Sequence, residues 1–135
     1  MDLIEKVFLL QRVDLLRDAQ SAHLALLASI AEEIDVAPGT VLLRRDEPAG
    51  ALHVLIHGGV KLSGAGGEIT SGAGMAFGTW ALIDEAPSIV EAVATEPCRL
   101  LRIGRDDFFD LLSDHPELAI GLLQGLARRV RTLVA

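Results

Sequence analysis

The chain has 135 residues with 19 acidic and 12 basic side chains, a formal net charge of −7 (12 − 19), and it is half apolar but only 4% aromatic. That length fits one domain with an aliphatic core, able to bury roughly two-thirds of the surface its unfolded chain exposes. The acidic balance argues against a general nucleic-acid binder, and no apolar run approaches the ~18 residues of a membrane span.

Leu3, Ile4, Val7, Phe8 and Leu10 follow helical spacing between Asp2 and Val13. A secretory leader is not expected there, because Asp2 and Glu5 stand where positive charge belongs. Ser21 reads as the N-cap of a second helix carrying Leu24, Leu27, Ile30 and Ile34 along one face. After Pro38-Gly39 the pattern changes to short apolar runs at Thr40–Leu43, Ala51–Ile56, Val60–Leu62, Ile69, Ile89–Ala94 and Arg99–Ile103. Turn chemistry separates them at Asp46-Glu47-Pro48, Gly58-Gly59, Gly64-Ala65-Gly66-Gly67, Gly72-Ala73-Gly74 and Glu96-Pro97. Many short strands with Gly-rich turns predict a sandwich or a small barrel, each strand burying one face. Helical signals return at Arg105, where Asp106 and Asp107 complement the helix dipole ahead of Phe108, Phe109, Leu111 and Leu112. Asp114 reads as the cap of a last helix, with Pro116 near its first position, Glu117 three residues after the cap and Arg128, Arg129 and Arg131 in its last turns. The fold class is therefore mainly β with flanking helices, expected as a single domain over residues 1–135.

The segment from Phe77 to Ser88 carries the most chemistry. Gly72, Gly74 and Gly78 lead into a short helical turn, a loop and a strand, an arrangement whose free backbone N–H groups can cradle an anion. A sheet corner that needs Gly for tight backbone gives the same pattern. Phe77-Gly78, Ala81-Leu82 and Pro87, together with Asp46-Glu47-Pro48-Ala49-Gly50-Ala51-Leu52, Gly58 and Val60, form a wider constellation. Arg99-Leu100-Leu101-Arg102-Ile103 followed by Asp107-Phe108-Phe109-Asp110-Leu111-Leu112 completes it. Over nearly the whole chain these residues resemble the cyclic-nucleotide-binding domain family, the catabolite-activator-like sensor module also found in kinase regulatory subunits. The resemblance implies an antiparallel β-roll (a jelly roll, or double-stranded β-helix) from about Ile34 to Ile103, with N-terminal helices and two C-terminal helices. It also implies a phosphate-binding cassette, placing Gly78, Thr79, Trp80, Ala81, Ser88 and Ile89 at ligand-binding positions.

Two departures alter what that cassette can do. The family pattern has a Glu after the cassette Gly, on the ribose hydroxyl, and an Arg after the cassette Pro, on the cyclic phosphate. This chain has Thr79 and Ser88 there. Charge-assisted hydrogen bonds contribute roughly 1.5–3 kcal/mol each, so losing both weakens a nucleotide by something like a hundredfold to ten-thousandfold. Ile89 and Val90 replace the usual small residues and are expected to fill part of the pocket. Glu91 is expected to point outward, since Ser88, Val90 and Ala92 share one strand face and Ile89, Glu91 and Val93 the other. Trp80 reads either as core filler in volume a nucleotide would take, or as a ring that stacks on a ligand. No cofactor is expected, and cyclic AMP and cyclic GMP are disfavoured.

Enzymatic chemistry finds little footing. His53 and His57 are expected to share a strand face but to lie roughly 13 Å apart, too far to share a metal, and His23 and His115 read as surface residues. Cys98 is the single cysteine, so it has no partner for an internal disulfide or a zinc pair, which suits a reducing cytoplasm. Neither a G-x-S-x-G elbow nor a Walker A sequence occurs. The leading expectation is a cytoplasmic, non-enzymatic regulatory module of signal transduction. The alternative is an interaction or scaffold domain that keeps the fold without the ligand, and a metal-dependent β-roll enzyme comes third. Ala119, Leu123, Leu126, Val130 and Leu133 form a coiled-coil-like seam on the last helix, readable as a homodimer interface or as ordinary packing on the chain's own β-roll. In activator-like members a helix-turn-helix follows that helix. The sequence ends at Ala135, so this fragment is expected to read no DNA and to belong to a longer chain with a fused or associated effector domain.

Overall fold

Eight strands form two antiparallel sheets in the computed structural model, which describes residues 1–134 and, at Trp80 and Ala81, the backbone alone. The first sheet has the order β1 (Glu32–Val36), β8 (Cys98–Gly104), β3 (Ala51–His57) and β6 (Ala76–Phe77). The second has the order β2 (Val41–Leu43), β7 (Val90–Ala94), β4 (Val60–Gly64) and β5 (Gly67–Ser71). Consecutive strands thus alternate between sheets over most of the chain, the winding of the expected β-roll. The inner faces meet through Leu55, Phe77 and Leu100 of the first sheet and Leu43, Val60, Leu62, Ala92 and Ala94 of the second. Among the described residues Phe77 is the only aromatic ring in that cluster, in keeping with the low aromatic content. Burying such side chains contributes about 1.5–3 kcal/mol apiece for Val, Leu and Phe.

This roll, Ala31–Arg105, is one of two compact units. The other combines residues Met1–Ile30 with those from Asp106 onward. In it, Asp2 accepts from the Glu5 N–H at 2.8 Å and caps α1 (Leu3–Gln11). A 3₁₀ turn at Asp14–Leu16 follows, and α1 packs against α2 (Ser21–Ile30). Helix α4 spans Arg105–Asp114 and α5 spans Pro116–Val134. Arg129 of α5 reaches Asp14 at 3.0 Å, and Gly121 lets α5 approach α2 so closely that a Cβ there would lie 3.0 Å from the His23 ring.

Four local expectations are corrected. Helix α2 stops at Ile30 and Ile34 belongs to β1, because a spacing of four satisfies the helical and the strand period equally. Ser21 is the first helical residue of α2 rather than its cap; the Leu24 N–H bonds the Gln20 carbonyl. Asp114 closes α4 instead of capping α5, and His115 occupies the junction, its Nδ1 3.2 Å from Glu117. His53 and His57 do not share a face. His53 stands opposite Arg102 and His57 opposite Arg99, because a bulge between Leu55 and His57 reverses the side-chain alternation.

Candidate functional site

The segment expected as the cassette begins where β6 ends. Gly78 has φ +83°, and a Cβ there would fall 2.5 Å from the Ala51 carbonyl oxygen, so glycine alone fits without moving backbone. The Leu82 N–H then bonds the Gly78 carbonyl at 3.0 Å, opening the short helix α3 (Thr79–Asp84). Thr79 and Leu82 are buried. Glu85, at φ +57°, ends the helix, and the Asp84 carboxylate accepts from the Ala86 N–H. Arg105 closes this end: its guanidinium donates to the Leu82 carbonyl and stands 3.1 Å from the Glu85 carboxylate. Its own backbone N–H bonds the Gly50 carbonyl at 2.9 Å, tying the cassette helix to the start of β3.

Beyond α3 the chain pairs with the turn before β3. Pro87 bridges Pro48, the Ser88 N–H donates to Glu47 and the Asp46 N–H to Ser88, at 2.9 and 2.8 Å. Ser88 is only 7% exposed, and its hydroxyl is engaged by the first residue of β7. Oγ donates to the Val90 carbonyl at 2.7 Å and accepts from the Val90 N–H at 3.2 Å. The hydroxyl proton is therefore committed to backbone. The strand faces follow the expected alternation, with Glu91 exposed and Ala92 fully buried.

Ile89, expected to crowd the pocket, is instead 80% exposed. It lines an open groove of about 540 Å³ together with Leu62, Ile69, Val90 and Arg45, floored by the turn from Gly64 to Gly67. Asp46, in the left-handed region at φ +66°, and Glu68 add two carboxylates to its rim. Gly78, Thr79 and Ser88 do not line this groove. The structure thus separates the predicted set, with three members in the packed cassette and Ile89 in the groove. The side chains of Trp80 and Ala81 lie outside the described residues. Arg45 and Ile69, which also line the groove, were not singled out from the sequence. The available signal was the pair Arg44-Arg45 directly before the turn at Asp46, which gains meaning only once β2, β4 and β7 are known to be neighbours.

Elsewhere in the roll, buried His53 stacks on Phe77 with ring centroids 5.3 Å apart. Burial, and then the Arg102 charge, lower its pKa from 6.5 to about 4. Cys98 is buried, its Sγ 3.2 Å from the Gly59 and Glu96 carbonyls. No group of three His, Cys, Asp or Glu side chains among the described residues is arranged to hold a metal. No helix among them is long and apolar enough to cross a membrane.

Residues 33–115 match the family model described as the cyclic nucleotide-binding domain. The chain is 26% identical over 129 residues to the CRP-like cAMP-activated global transcriptional regulator of Mycobacterium tuberculosis, covering 91% of this chain and 58% of that protein. It therefore spans little more than half the length of this curated relative. The N-terminal domain of a Streptomyces coelicolor transcriptional regulator superposes with a TM-score of 0.77 at 29% identity, covering 93% of this chain and 92% of that one. The regulatory domain of Toxoplasma gondii PKA, solved with cAMP, has a TM-score of 0.71 at 18% identity, over 96% of this chain and 50% of that one, and shares the fold.

Proposed function

The chain belongs to the cyclic nucleotide-binding domain family, and from that premise we propose that it is a non-enzymatic sensor module in which cyclic AMP and cyclic GMP bind weakly or not at all. The observation that carries this reading is Ser88. At the position where the family pattern has an Arg for the cyclic phosphate stands a short neutral side chain whose hydroxyl donates to Val90. Thr79, in place of the ribose-binding Glu, is buried and uncharged. Backbone N–H groups at the start of α3 keep some attraction for an anion, but no cation from the cassette accompanies them. A regulatory module acts by favouring one of two states of something attached to it. A fused or associated effector domain therefore belongs to the proposal, supported by the greater length of the regulator it matches. So does a cytoplasmic setting, for which the unpaired Cys98 is suited.

Titration calorimetry with both nucleotides tests this, and the expected dissociation constants are weaker than about 100 μM, near 5.5 kcal/mol of binding free energy. A low-micromolar constant for either nucleotide overturns the reading. In the double variant Thr79→Glu with Ser88→Arg, binding is expected to tighten, since a carboxylate and a guanidinium return to the cassette.

A second reading, an interaction domain without a small ligand, draws on α5. Leu123, Val130 and Leu133 are 65%, 58% and 84% exposed along that helix, a row suited to a homodimer or another partner.

A further inference from the structure

The groove beside the cassette has a composition of its own. Its lining is aliphatic at Leu62, Ile69, Ile89 and Val90, and includes the glycine-rich turn between β4 and β5. Ile69 and Ile89 are large apolar side chains left 59% and 80% exposed, and both line the groove. The polar side chains on the lining are those of Arg45, Asp46 and Glu68. Glu68 has a counter-ion in Lys61, at 4.0 Å. The Arg45 guanidinium has no hydrogen bond or ion pair among the described residues, although Asp46 follows it in sequence.

We propose that this groove binds an amphipathic organic acid, with an aliphatic body lying along Ile69 and Ile89 and a single carboxylate on Arg45. The inference rests on the proposed loss of cyclic nucleotide binding and names what the module senses instead. A nucleotide places base edges and ribose hydroxyls against walls that offer them no partner, and each polar group desolvated without a hydrogen bond weakens binding. An alkyl chain meets the same walls at no such cost and removes two exposed isoleucines from water. The head group is fixed by charge. One guanidinium accepts a planar carboxylate in two parallel hydrogen bonds, whereas the Asp46 carboxylate at the same rim disfavours a head bearing a second negative charge.

The test uses the chain as it stands, with octanoate, octan-1-ol and cyclic AMP as probes in calorimetry and thermal-shift assays. Octanoate is expected to bind saturably and to raise the melting temperature, and octan-1-ol to bind about tenfold more weakly. Arg45→Gln is expected to bring octanoate down to the level of the alcohol, and Ile89→Asp to remove both. Both side chains are exposed, so neither change threatens folding. Octanoate binding that Arg45→Gln leaves unchanged overturns the proposal. So does failure of octanoate to bind a chain that also fails to bind cyclic AMP, an outcome that leaves the proposed function standing. Low-micromolar binding of cyclic AMP overturns the reading on which the proposal rests.

Discussion

The guanidinium of Arg105 stands 3.1 Å from the Glu85 carboxylate while donating to the Leu82 carbonyl, so one cation closes the C-terminal end of the cassette helix. A cation is favoured there by the exposed carbonyls of the last turn. Glu85 is mostly exposed, so the ion pair alone contributes little; the bond to the carbonyl, from a guanidinium only 23% exposed, contributes more. Arg105→Gln is expected to cost about 1–2 kcal/mol in urea unfolding. Amide exchange should accelerate across residues 79–86 while β3 and β8 keep their protection. Uniform acceleration through the whole roll would show that Arg105 is a general stabiliser and not a clamp on α3.

The exposed row on α5 predicts self-association. If a second copy covers Leu123, Val130 and Leu133, Leu123→Glu buries a charge in that contact and separates the copies. Light scattering at high concentration should give a dimer mass for the unmodified chain and a monomer mass for the variant, with unchanged circular dichroism. A monomer in both cases removes the dimer.

His53 predicts a stability slope in mild acid. Its folded pKa of about 4 lies below the ordinary 6.5, so between these values the unfolded chain binds a proton that the folded chain refuses. Its contribution is therefore complete above pH 6.5 and is lost as pH falls toward 4. At 1.36 kcal/mol per unit the full loss is about 3 kcal/mol. His53→Phe keeps a ring against Phe77 and is expected to flatten the slope between pH 7 and 4.5 in urea unfolding. An equally steep slope in the variant would assign it to other groups. The carboxylates of Asp14, held by Arg129, and Asp35, held by Arg99, protonate below their ordinary range and act at lower pH.

Most of the roll was legible because period-two alternation and glycine-rich turns are local signals, written in the residues of each strand. Two strands escaped for different reasons. Ile30 and Ile34 lie four apart, a spacing common to both periods, which hid β1 inside an apparent helix. The two-residue β6 is too short to show any period, and its pairing with His53 and Val54 is set by β3. On α5 the seam of Ala119, Leu123, Leu126, Val130 and Leu133 leaves out Leu118, which is fully buried, while Leu123, Val130 and Leu133 are exposed. Of the segment from Phe77 to Ser88, the tight turn at Gly78 and the bridge at Pro87 were legible through their glycine and proline. The groove was not, because Arg45, Leu62, Ile69 and Ile89 come from four separate segments brought together by the order of the second sheet. No local pattern encodes that proximity.

Gly78 divides the constraints on this site into two kinds. The close approach of its α-carbon to the Ala51 carbonyl fixes the course of the backbone, and any larger residue must push main chain aside. Positions 79 and 88 carry no such backbone demand, and the Ser88 side chain bonds only to Val90, two residues on. The backbone shape of this turn and the side chains it presents can therefore evolve on separate clocks. A lineage that exchanges side chains at those two positions while keeping the glycine keeps with it the course of the main chain.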